Sequence, residues 1–152
     1  MKSNIKDSSL IVIGKIESIK SVGDNHHAIL NVESTLMGYT SESNIEVFFY
    51  GDRPIRTKMM LNGDIVQFET SVDYKLRILK FYKGEYVLVF LKGGNKPYRV
   101  VNHEQGKMLI EKIKQKNIIN IPYFLQENNN LEEVEPLEKV ISIIKEKIRN
   151  KK

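Results

Sequence analysis

The sequence predicts a mainly β fold: a small, closed, largely antiparallel barrel followed by one C-terminal helix. Three observations carry that expectation. The block from Lys83 to Lys107, KGEYVLVFLKGGNKPYRVVNHEQGK, has a turn at Lys83-Gly84, an apolar and β-branched run from Tyr86 to Leu91, a glycine pair and a second run, which is the pattern of a buried hairpin. An earlier unit from Ser9 to Leu36 repeats that arrangement. Helical periodicity is clear only near the C-terminal end.

Taken in order, the first strand is Ser9 to Ser21, SLIVIGKIESIKS, with a continuous apolar stretch from Leu10 to Ile13 and then Ile16 and Ile19. Gly14 falls inside it and marks a bulge or bend where a long strand curls. A turn at Gly23, Asp24 and Asn25 leads to a second strand, His27 to Leu36, whose Leu30, Val32 and Leu36 share a face. Met37, Gly38 and Tyr39 end it. The third strand is Asn44 to Tyr50 (NIEVFFY). The turn Asn62-Gly63-Asp64 joins two short candidates, Lys58 to Leu61 and Ile65 to Phe68. Tyr74 to Phe81 suits a helix and a strand equally well.

Beyond the central hairpin, Lys107 to Ile113 and Asn117 to Ile121 read as short strands joined by Lys114, Gln115 and Lys116, with Pro122 closing the unit. Gln126 to Asn130 is a loop. A helix follows with Pro136 as its first residue. Val134, Leu137, Ile141, Ile144 and Ile148 form its apolar stripe, and Lys145, Lys147 and Arg149 complement its C-terminal dipole. The expected organisation is a flexible N-terminus over 1–8, a barrel domain over 9–125, and a linker with the helix packed on the barrel over 126–152.

Composition narrows the class. With 152 residues, 41% hydrophobic and 28% charged, the chain has the length of one domain and is too apolar for disorder. Lys and Arg exceed Asp and Glu by five, and the pI is near 9.3. The excess concentrates between Lys75 and Lys116, where eleven Lys or Arg face three Glu. Such a stretch suits a polyanion, although alternating strands also put lysines on their wet faces. There is no cysteine, which excludes disulfides, thiolate metal sites and a cysteine nucleophile. The N-terminal stretch has only four consecutive large apolar residues, Leu10 to Ile13, and reads as neither signal peptide nor membrane anchor.

No motif for catalysis emerges. His26 and His27 are adjacent beside Asp24 and read as exposed turn residues, and His103-Glu104 lacks the second histidine of a helical zinc site. Ser8, Ser9, Ser41 and Ser43 sit in cap and turn contexts rather than in a nucleophile elbow. Gly93-Gly94-Asn95-Lys96 lacks the spacing of a phosphate loop. Neither a cofactor nor a metal site is expected. Tyr74, Lys75, Arg77, Lys80 and Tyr82, and then Lys92, Lys96, Tyr98 and Arg99, interleave aromatic and basic residues as a nucleic-acid surface does. Phe48, Phe81, Tyr86 and Phe90 are read as barrel core, and Tyr39, Tyr50 and Tyr98 as exposed platforms.

The motifs LIVIGKI (10–16), VESTLMG (32–38), IEV (45–47), KGEYVLVFL (83–91), YRVV (98–101) and QGK (105–107) also form an ordered set. In that order they resemble small bacterial proteins of unassigned role, many of them exported from Gram-positive cells, whose domains are similar to netrin-like and tissue-inhibitor-of-metalloproteinase-like modules. The resemblance covers about residues 9 to 112 and implies a five-stranded, OB-like Greek-key barrel with a bent first strand shared by both halves of the sheet. Metalloproteinase inhibitors of that superfamily chelate zinc through an N-terminal cysteine, which this chain lacks, so that activity is not expected here.

The functional expectation is a non-enzymatic binding module, secreted or cell-envelope associated, whose partner is a protein or an anionic cell-surface polymer. The alternative is a cytosolic single-stranded nucleic-acid binder. In either case the candidate contacts are Lys75, Arg77, Lys80, Lys92, Lys96, Tyr98 and Arg99. A leader preceding the chain would imply the cell envelope or exterior, and otherwise the cytoplasm is expected.

Overall fold

In the computed structural model, residues 1–22, 25–49, 55–61, 64–70, 81–93, 97–102 and 106–150 are described. A short helix, α1 (Lys2–Asp7), precedes the long hairpin β1 (Leu10–Val22) and β2 (Asn25–Met37), and then β3 (Asn44–Phe49). A separate hairpin follows, β4 (Ile55–Leu61) and β5 (Asp64–Thr70). Next come β6 (Tyr86–Lys92), β7 (Tyr98–Val100), β8 (Lys107–Ile113) and β9 (Lys116–Asn120). The chain ends with α2 (Tyr123–Gln126), a 3-10 turn at Glu127–Asn129, β10 (Val134–Pro136) and α3 (Leu137–Arg149).

The barrel closes because β1 pairs on both sides. It runs antiparallel to β2 along its length and antiparallel to β6 from Leu10↔Leu91 to Lys15↔Tyr86. The ring is then β1-β2-β3-β7-β6, with β3 and β7 parallel through Val47↔Tyr98 and Phe48↔Arg99. That is a five-stranded OB-like barrel. Strands β8, β9 and β10 continue the sheet outward from β6. Gly14 is where β1 curls: its register against β2 shifts on either side, and a Cβ at that position would collide with the carbonyl oxygen of Asn31.

Two cores explain the unbroken apolar runs. Leu10, Val12 and Ile16 of β1 and Val87, Val89 and Leu91 of β6 fill the lumen with Ala28, Leu30, Ile45, Val47, Phe49 and Phe81. Their alternating neighbours Ile11, Ile13, Leu88 and Phe90 lie on the outer face, under Leu137, Val140 and Ile144 of α3. A strand buried on both faces has no polar alternation to show. Fully burying a side chain of this size contributes about 1.5–3 kcal/mol, so the outer layer is a large share of the domain's stability.

Several expectations are corrected. Residues 2–7, placed in a flexible N-terminus, form α1; Met1 and Ile5 join the outer core, and Asn102 Nδ2 donates to buried Asn4 Oδ1 at 2.6 Å. Six residues are too few to show a period, and tertiary contact holds them. Val134 is not on the helical stripe: it belongs to β10 and is 44% exposed, while Val140 takes its place against the core. Pro136 is the N-cap rather than the first helical residue. Of the four aromatics assigned to the barrel interior, only Phe81 is there. Phe90 is buried on the outer face, Tyr86 packs beside it half-buried, and the lumen position belongs to Phe49 rather than Phe48. His26, read as a turn residue, lies in β2, as does His27, which was also expected to open that strand. Tyr74 to lysine 80 and His103 lie outside the described residues.

Candidate ligand face of the barrel

Strand alternation decides which side chains leave the barrel. Val47 and Phe49 are buried in the lumen, so Phe48 between them faces outward. The same parity turns His27 outward beside buried Ala28, and Lys92 outward beside buried Leu91. The registers then align these positions: Lys20↔His27, His27↔Phe48, Phe48↔Arg99 and Arg99↔Lys92. Each of the five barrel strands contributes one residue to a single row, Lys20, His27, Phe48, Arg99 and Lys92. At the usual inter-strand spacing of about 4.8 Å, the row runs roughly 19 Å along the sheet.

The row is held by its own contacts. The Arg99 guanidinium sits 4.8 Å from the Phe48 ring centroid, a cation–π contact of about 0.5–1 kcal/mol at an exposed site. His27 meets the same ring edge-on, at 6.0 Å between centroids and 71° between planes. On its other side His27 Nδ1 is 3.0 Å from Glu46 Oε2, and Lys20 Nζ is 3.7 Å from Glu46 Oε1. Glu46 therefore offsets charge at the β1–β2 end. Arg99 and Lys92 at the other end are both exposed, which makes it the more positive end of the row.

Among the residues named from the sequence, Lys92 and Arg99 stand side by side in this row. Tyr98 does not: one residue out of phase, it is half-buried and packs against the lumen core, so its reading as an exposed platform is corrected. Tyr39 is 83% exposed. Lys75, Arg77, Lys80, Lys96 and Tyr50 lie outside the described residues. Sequence reasoning missed Lys20, His27 and Phe48 as partners of Arg99. The available signal was parity, since Val47 and Phe49 inward require Phe48 outward.

Not all the charge of the basic stretch reaches the surface. Lys107 of β8 is 5% exposed; its Nζ lies 2.9 Å from Glu85 Oε1 and 4.7 Å over the Phe81 ring. Glu85 Oε1 also accepts the Tyr82 backbone N–H at 2.7 Å. Near this end of the barrel, His26 stacks on Phe49 at 5.5 Å in a pocket of about 180 Å³ shared with Ile19, Phe81, Tyr82 and Lys83. That volume is below the roughly 300–1,000 Å³ of small-molecule sites.

Among the described residues, no three His, Asp or Glu side chains gather as a metal site, and no helix is long and apolar enough to cross a membrane. No protein-family model matches the chain, and no curated protein matches its sequence.

Proposed function

We propose that this chain is a non-enzymatic binding module that takes an extended anionic polymer across the outer face of the barrel. The observation that carries this reading is the row Lys20, His27, Phe48, Arg99 and Lys92, one residue from each of five adjacent strands. A ligand crossing the strands meets three permanent cations, Lys20, Arg99 and Lys92, with the Glu46 carboxylate opposing them beside Lys20 and His27. The ammonium and guanidinium groups neutralise phosphates of the polymer backbone, and the Phe48 edge gives apolar contact to the units between them. A glycerol-phosphate polymer of the cell surface has this chemistry. The ordered motifs that resemble netrin-like modules of exported bacterial proteins support the same setting.

A second reading, single-stranded nucleic acid, is favoured by the aromatic ring at the centre of the row. Arg99 already covers part of that ring, so backbone contacts rather than base stacking dominate either complex.

The test is a fluorescence-anisotropy titration of a labelled glycerol-phosphate polymer and of a labelled single-stranded oligonucleotide at several salt concentrations. Three phosphate contacts give a slope of log K against log salt near −2, at about −0.7 per contact for a flexible single strand. Removing Lys92 should bring the slope up by about 0.7, and Arg99→Glu with Lys92→Glu should abolish binding. Tighter binding of the oligonucleotide selects the second reading. Absence of binding to both, equal binding by the charge-reversed variant, or hydrolytic turnover lost with one carboxylate or histidine substitution, rejects the proposal.

A further inference from the structure

A second concave surface lies away from the row, and among the described residues none of its lining belongs to the five barrel strands. It is a half-open cleft of about 730 Å³ between α1 and the last two turns of α3. Its apolar floor is Ile5, 2% exposed, and half-buried Ile143. Around that floor stand Lys2 and Lys6, one helical turn apart on α1, and Lys147 on α3, and among the described residues Glu146 is the one carboxylate of the lining.

Three ammonium groups outweigh one carboxylate and the partial charge of about −0.5 at the carbonyl end of α3. The cleft is therefore cationic above an apolar base, and the alkyl stems of the lysines extend that base outward. The volume is that of a small-molecule site, within the usual range of about 300–1,000 Å³. A bare oxyanion would use the lysines and leave the open part of Ile143 and the lysine stems wet. An uncharged hydrocarbon would do the reverse and leave like charges facing one another.

We propose that this cleft binds an anionic amphiphile, a single acyl chain ending in one carboxylate. The chain lies on Ile143 and the lysine stems, with buried Ile5 beneath, and the carboxylate sits among Lys2, Lys6 and Lys147. A bilayer is a poorer occupant, because Leu137, Val140 and Ile144, the apolar stripe of α3, are already buried against the barrel. What remains open is concave, and a flat surface does not fill it.

The experiment is an amide-shift NMR titration of the full chain with decanoate below its micellar concentration. The comparison ligands are 1-decanol, inorganic phosphate and vesicles of anionic phospholipid. Saturable shifts at Ile5, Ile143 and Lys147 are expected with decanoate. Decanol should bind at least tenfold more weakly, and Lys6→Glu with Lys147→Glu should lower decanoate affinity at least tenfold. Lys6 is exposed and Lys147 half-buried, and neither belongs to a hydrophobic core, so the variant should keep its native spectrum; Ile143→Asp, which removes the floor instead, should also weaken binding. Equal affinity for decanol and decanoate, unchanged affinity in both variants, phosphate binding as tightly as decanoate, or binding to vesicles alone would each overturn the proposal.

Discussion

Replacing Lys107 with methionine removes a buried ammonium while keeping an unbranched chain in its place. Lys107 stands opposite Val89, on the lumen side of β8, with its side chain 2% exposed and its partner Glu85 12% exposed. Deleting one member of a buried pair costs about 3–5 kcal/mol, because the other charge stays behind in a low dielectric. Glu85 keeps the Tyr82 N–H and a little access to water, so the lower end, about 3 kcal/mol, is expected. For a domain of this size that lowers Tm by roughly 6–12 °C. Thermal melts and urea titrations of the parent, of Lys107→Met, of Glu85→Leu and of the double variant form a complete cycle. The double variant, with apolar groups at both positions, should recover most of the loss. If Lys107→Met lies within about 0.5 kcal/mol of the parent, as a surface substitution would, the ammonium is solvated and the packing described around Phe81 is wrong.

Three further outcomes follow from particular contacts. Gly14→Ala drives a Cβ into the Asn31 carbonyl oxygen and should destabilise by about 2–3 kcal/mol in denaturant titrations; a neutral result would mean that β1 does not curl there. Burial, and then the hydrogen bond its hydroxyl donates to Glu33, push Tyr86 up from near 10 to about 12. Phenolate absorbance should show one tyrosine titrating late, and Glu33→Gln should bring it part of the way back. Because that native value is raised, its share of stability is complete below pH 10 and fades as pH climbs towards 12. Glu135 is held below the usual carboxylate range chiefly by Lys139 at 2.6 Å, against the opposing effect of burial and with help from the Glu132 N–H. Its contribution is present above the ordinary carboxylate pKa and is lost as pH falls through the depressed native one, so Glu135→Gln should flatten the acid limb of a stability-against-pH curve.

Much of the barrel was legible because its strands are long and bounded by turn residues. The first three strands, the run from Tyr86, the β8–β9 pair and the terminal helix all fall within about two residues of their expected places. What escaped was too short for any period, such as α1 and the three residues of β10, or was decided by partners distant in sequence. The run from Tyr86 to Leu91 is apolar at every step, so nothing in it says which residues face the lumen. The pairing of β6 with β1 and the cover of α3 turn Phe90 outward. The same question of phase separates Arg99 from Tyr98, whereas in β3 the alternation of Ile45, Val47 and Phe49 with Asn44 and Glu46 already turned Phe48 outward.

The candidate ligand face was half visible for a related reason. Lys92 and Arg99 stood out within a basic stretch, yet charge density did not distinguish them from Lys107, which the fold buries. Lys20, His27 and Phe48 join Arg99 only through three strand registers that bring positions 20, 27, 48 and 99 together. Hydrophobic patterning within one strand reports its buried face and is silent about which exposed residues become neighbours.

The most direct measurement of the central claim is an NMR titration of the labelled full chain with a glycerol-phosphate polymer, following side-chain and amide signals of the barrel. Perturbations aligned on residues 20, 27, 48, 99 and 92 and fading away from that line are the predicted result. Perturbations confined to β8 and β9, or scattered over all exposed lysines without involving Phe48 and Arg99, would contradict it.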